Sequence, residues 1–281
     1  MSTIAFRFDV DTHKCIRDGV EHLLALSSKY EAPFTFFLNT GCSIDLKHSL
    51  HTLQHPPQGK TAPHLSARAK LGNADYLVCA LINPPLIRYK KQIAALMQSN
   101  CETGIHGGHN HALWARDFPH WDAARIENEL DFALANIRRI QPDYQPGGFA
   151  SPCWISSPSF SALLKCKGFR YSADFHEYGA ANPVHRDGPL PVIGVNLLGE
   201  PGGVAWFETC VAQGLSTEEI IHRTMAFIES HPLTVLYDHP YFAGCDPRAL
   251  AAIEGVLQEA TRRNHTFVTL QTLLEQGCRT C

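Results

Sequence analysis

The opening of the chain limits its fold more than any other stretch. Ile4-Ala5-Phe6-Arg7-Phe8 runs largely apolar and ends in Asp9-Val10-Asp11-Thr12, which reads as a buried strand with carboxylates at its C-terminal end. Asp18-Gly19-Val20 then opens a helical pattern through Val20, Leu23, Leu24 and Leu26 that ends near Lys29-Tyr30. Pro33 introduces a second strand, Phe34-Thr35-Phe36-Phe37-Leu38. Strand, helix and strand within about 35 residues make a βαβ unit, and such a crossover makes the two strands parallel.

The alternation continues. Strand signals recur at 102–106, 147–152, 169–174, 190–198, 233–237 and 266–270, with helical patterns at 89–99, 121–140, 157–168, 217–228 and 247–263 and a short helix at the end. Asp75 to Leu81 is apolar and fits either element. This pattern predicts the α/β class, as a distorted (β/α) barrel of about seven parallel strands. No repeat or linker interrupts it, so residues 1–281 are expected to form a single domain. The exception is 42–75, where His48, His51, His55 and His64 lie among Pro56, Pro57, Gly59 and Pro63. With no carboxylate or Cys between them, these histidines read as an exposed insertion rather than a metal site.

Composition narrows the function. With 24 basic and 27 acidic residues the net charge is -3, and no basic run suggests a nucleic-acid groove or an anionic membrane surface. Sixteen histidines are many, and histidine is the commonest metal ligand. The ten cysteines are scattered; Cys278-Arg279-Thr280-Cys281 is the lone C-x-x-C and reads as a tail. No signal peptide precedes the first strand, and no apolar run reaches about 18 residues. These features lead to an expectation of a cytoplasmic protein with reduced thiols.

Polar residues gather where strands end. Asp9 and Asp11, two apart, point the same way on an extended strand. His106, followed by Gly107-Gly108-His109-Asn110-His111, ends another strand; Asp174 and His239 end two more. In a parallel barrel all these C-termini open on one face, where active sites sit. A carboxylate with two histidines and an open position suits a catalytic divalent metal. Zinc is the first expectation, with cobalt or manganese as alternatives.

Several motifs, in this order, carry a family resemblance: Phe8-Asp9-Val10-Asp11, Glu102-Thr103-Gly104-Ile105-His106 with His111, Phe149-Ala150-Ser151-Pro152, and Tyr237-Asp238-His239-Pro240. The chain resembles the NodB-homology polysaccharide deacetylases, carbohydrate esterase family four, over nearly its whole length. With Arg17-x-Gly19-Val20 and His120-Trp121 added, it looks most like the deformylases of undecaprenyl-phosphate-linked formamido-arabinose. The resemblance implies a metal-dependent hydrolase removing a formyl or acetyl group from an amino sugar, lipid-linked in the deformylase case, which would place it at the inner membrane surface. It implies Asp9 as general base, Asp11, His106 and His111 as metal ligands, His239 as general acid and Asp174 as the residue orienting it. Pro152 and Trp154 are expected to line the substrate cleft. Hydrolysis of another linear or cyclic amide and a non-catalytic carbohydrate-binding homologue are the rival readings.

Three departures bear on the site. The family's two histidines are usually separated by three residues, whereas here the residue four after His106 is Asn110 and His111 is five after, so His109 and Asn110 compete with His111 as ligand. Ala150-Ser151-Pro152 lacks the arginine that many deacetylases carry there, which leaves Asp9 without an evident partner. His13, after Asp-x-Asp-Thr, reads as a loop residue, and Asp238 as structural.

Overall fold

The computed structural model describes residues 1–45, 70–199 and 203–277. His48, His51, His55 and His64 of the expected insertion lie outside the described residues, as does the Cys278–Cys281 tail.

One sheet carries the strands β1 (Thr3–Val10), β2 (Thr35–Leu38), β3 (Glu102–His106), β4 (Gly148–Ala150), β5 (Tyr171–Ser172), β6 (Val184–His185), β7 (Val192–Ile193), β8 (Leu233–Asp238) and β9 (Thr266–Phe267). Their order is β6-β7-β5-β4-β3-β2-β1-β8, with β9 also on β1. Every pairing is parallel except β6 with β7. β1 lies between β2 and β8 and is buried from Ile4 onward, which explains its near-continuous apolar run. Beyond β7 the chain curls back, and Leu197 makes a parallel bridge with Leu236 of β8. This is the expected α/β class, a mostly parallel sheet rolled into a distorted half-barrel.

The helices follow the apolar periodicity where one face is exposed. Val20–Tyr30 buries Val20, Leu23 and Leu26. Ala123–Arg138 buries Ile126, Leu130, Leu134 and Ile137, and Asp122 caps it by accepting from the Arg125 amide. The ambiguous stretch falls in the helix Asn73–Leu81. The helix Trp206–Ala212 escaped the periodicity because Trp206 to Val211 are all buried, leaving no polar face. The strand expected at 190–198 shrinks to β7. There the Asn196 side chain takes over ladder bonds, accepting from Val235 N and donating to Leu233 O and Ala180 O. Among the described residues no helix is long and apolar enough to cross a membrane.

Trp114 anchors the packing beneath β3 and β4. It is fully buried, with Phe118, Trp121, Phe149 and Phe160 at ring distances of 5.0, 5.4, 5.5 and 5.7 Å. Its indole N–H donates to Ile155 O at 3.1 Å. Truncation would leave a large cavity and an unpaired carbonyl. Trp114→Ala is therefore expected to lower stability by about 3–5 kcal/mol, which denaturant unfolding of the two proteins measures.

Candidate active site

The strand end that opens the chain becomes a buried charged cluster. Asp9 and Asp11 are each only 2% exposed. Arg7, two residues before Asp9 and on the same face, is fully buried. It grips Asp9 with two bonds, Nε to Oδ1 at 2.9 Å and Nη2 to Oδ2 at 2.8 Å. Its guanidinium lies 4.1 Å from the Trp154 ring centre, with Phe37 and Tyr237 at 5.0 and 5.3 Å. A two-pronged bond and three aromatic walls leave this cation one position. Arg7 thus corrects the expectation that Asp9 lacks a partner. Burial opposes ionisation of Asp9, but the charges of Arg7 and His106 outweigh it and hold its pKa below the usual carboxylate range.

Asp11, His106 and His111 bring three donor atoms within 4.8 Å of one another. His106 Nε2 is 3.1 Å and His111 Nε2 3.4 Å from Asp11 Oδ1, and the two imidazole nitrogens are 3.1 Å apart. His106 Nδ1 lies 2.8 Å from Ala150 O. A carbonyl only accepts, so Nδ1 carries a proton and Nε2 is the nitrogen that faces the cluster. Asp11 Oδ1 is buried with no hydrogen-bond partner. Burial would raise the pKa of Asp11, but Lys70, His111 and His239 hold it well below the usual range. A buried carboxylate oxygen without a hydrogen-bond partner beside two imidazole nitrogens is a donor set that fits a divalent cation.

The five-residue spacing is absorbed in the turn. Gly107 adopts φ 76°, and Asn110 becomes the N-cap of the helix His111–Asp117, accepting from Ala112 N and donating to Ile44 O. His109 turns away, its Nδ1 3.0 Å from Glu129 and its ring stacked on Phe132. His111 is the histidine that joins His106.

His239 approaches from the opposite side of Asp11, with Nε2 3.4 Å from Oδ2 and 2.9 Å from the Tyr237 hydroxyl. The turn behind it sits against Gly19, where a Cβ would meet Pro240 O at 1.9 Å. The acidic group facing His239 Nδ1 is Glu208, at 3.8 Å, and Tyr241 donates to Glu208 at 2.5 Å. This corrects the expectation for Asp174. No hydrogen bond or ion pair joins Asp174 to His239; it accepts from Ser151 N, Ser151 Oγ and Ser172 Oγ and so holds the turn after β4. Asp238 accepts from the amides of Phe207 and His239. His13 is tied to Pro84 O at 2.9 Å, outside the cluster. Pro152 is buried against Gly107, and Trp154 covers Arg7 while half-exposed.

Four residues here were not singled out in the sequence. Arg7 and Tyr237 had a signal, since each lies two positions before a site residue on its strand. Glu208 sits on the helix without a polar face, and Lys70, whose Nζ is 3.0 Å from Asp11 Oδ2, enters from the end of the insertion.

A half-barrel of mostly parallel strands carries the candidate metal triad at its C-terminal ends. Solved structures sharing this fold include a candidate polysaccharide deacetylase from Mycobacterium smegmatis, 17% identical, covering 98% of this chain and 89% of its own, with a TM-score of 0.63. The Puue allantoinase matches at 12% identity, 97% and 89% coverage and a TM-score of 0.61. A CE4-family pseudoenzyme from Bacillus anthracis matches at 12% identity, 97% and 65% coverage and a TM-score of 0.57. No family model matches the sequence.

The Arg7–Asp9 pair makes a testable contribution to stability. Because the pKa of Asp9 is lower in the folded chain than in the unfolded one, the pair contributes fully above about pH 4 and its contribution fades as pH falls through the folded value. Arg7→Met leaves a buried carboxylate without its cation and is expected to cost about 3–5 kcal/mol at neutral pH. The gap to the unsubstituted chain closes in acid. Urea unfolding of both proteins across that range measures it; a gap independent of pH would contradict the pairing.

Proposed function

We propose that this chain is a metal-dependent hydrolase that removes an N-formyl or N-acetyl group from an amino sugar. The observation that carries the reading is the placement of Asp9 and His239 around the Asp11–His106–His111 triad. A bound divalent ion would polarise the amide carbonyl and activate water. Asp9, ionised and fixed by Arg7, is placed to take the proton of the attacking water. His239, across Asp11, is placed to give a proton to the departing nitrogen, which leaves poorly as an unprotonated amide. Glu208, rather than Asp174, faces its Nδ1.

The Pro152–Trp154 turn walls the cleft and is proposed to contact the sugar, with the half-exposed Trp154 ring as a stacking face. A lipid-linked sugar is supported by the helix Asn73–Leu81, which follows Lys70 and turns outward Leu77, Val78 and Leu81, with Ile82 just beyond, at 59, 41, 80 and 75% exposure. The non-catalytic reading drew on a missing arginine and a shifted histidine. The pairing of Arg7 with Asp9 and the place of His111 beside His106 support the catalytic reading over it. Hydrolysis of a cyclic amide stays a second reading, favoured by the fold likeness to the allantoinase.

Activity and metal content separate the roles. His239→Ala and Asp9→Asn are expected to lower kcat by about 10²–10⁴-fold while metal is retained. His106→Ala and His111→Ala lose metal and activity together. Metal analysis with assays on N-formyl and N-acetyl amino sugars, and on a cyclic amide, reads these outcomes. If the purified chain takes up no divalent ion and His106→Ala changes nothing, the site is rejected.

A further inference from the structure

The two oxygens of Asp11 have different surroundings. Oδ1 faces His106 and His111 and has no hydrogen-bond partner. Oδ2 is held by Lys70 Nζ at 3.0 Å and faces His239 at 3.4 Å. Lys70 is placed there by its surroundings. Its carbonyl accepts from Thr12 Oγ1 at 3.2 Å. Its neighbour Leu71 is buried with Ile44 and Cys79. Past Gly72, which adopts φ 81°, the helix Asn73–Leu81 is fastened to the barrel by Asp75 to Arg17 at 2.8 Å. The side chain is 18% exposed and its ammonium lies 5.9 Å from the Tyr241 ring centre.

The geometry points to Lys70 as a positioning residue that competes with the divalent ion for Asp11: it restricts the carboxylate to ligation through Oδ1 and keeps metal binding weak. The inference rests on the metal reading of the triad. Three effects act in one direction. A fixed ammonium beside the ligand repels a dication a few ångströms away. It withholds the second oxygen, so Asp11 cannot chelate. It also neutralises the buried carboxylate when no metal is bound, which stabilises the metal-free state against loading.

An opposite role is equally specific. Outer partners of ligating groups often orient them and strengthen metal binding, so the sign of the change on removing Lys70 decides between competition and support. The experiment is calorimetric titration of the metal-stripped full chain with Zn²⁺ alone, and separately with Co²⁺ alone. Lys70→Gln is expected to bind on the order of tenfold or more tightly than the unsubstituted chain, and Lys70→Arg, which keeps the charge, to stay close to it. The rise in melting temperature on adding metal gives a second readout, larger in Lys70→Gln. Unchanged or weaker binding by Lys70→Gln, with the unsubstituted chain binding normally, overturns the inference and leaves the triad standing. Binding by neither protein overturns both. Binding by Lys70→Gln alone supports the competition.

Discussion

A carboxylate buried in a protein has to be paired, bonded or neutralised, and β1 ends in two. Asp9 is answered from within its own strand by Arg7, whose stem is buried and whose guanidinium is walled by Trp154, Phe37 and Tyr237. Asp11 is answered from four other parts of the chain: His106 at the end of β3, His111 on the next helix, His239 after β8 and Lys70 from the insertion. Parallel strand order makes this convergence possible, since β3, β2, β1 and β8 are successive neighbours and their C-terminal ends open together. Charge requirements at one strand end thus link segments far apart in sequence.

Much of this was legible because local pattern and tertiary role agree. Residues 4–8 and 34–38 are largely apolar runs buried in a parallel sheet, and helices with one exposed face kept their period. Asp11, His106 and His239 sit at strand ends, where a parallel topology alone predicts a shared face. Some of what was missed has no local signature. Glu208 lies on a helix buried on all sides, so nothing in its periodicity separates it from the core. Asp174 drew attention as a strand-end acid, but its carboxylate is consumed by three donors from Ser151 and Ser172. Arg7 was hidden by the sequence position in which an arginine was sought.

Behind His239 lies a second acidic layer. Asp238 is fully buried and accepts from the amides of Phe207 and His239, tying the start of the helix Trp206–Ala212 to the end of β8. Burial, reinforced by the neighbouring Glu208, pushes the Asp238 carboxyl well above its ordinary pKa. The amide bonds of this layer fix where His239 stands.

The wall beside the site shows the same economy of parts under strain. Cys153 and Trp154 both adopt left-handed backbone conformations, with φ 57° and 62°, a costly arrangement for two consecutive residues with side chains. Its neighbours hold it there. Pro152 is buried against Gly107, Asp174 clamps Ser151, and Trp154 closes over the Arg7 guanidinium. The turn that follows β4 is thus held by the same arginine that fixes Asp9. Loosening that arginine would release the carboxylate and the aromatic wall together, so the charge that positions Asp9 also shapes the cleft beside it.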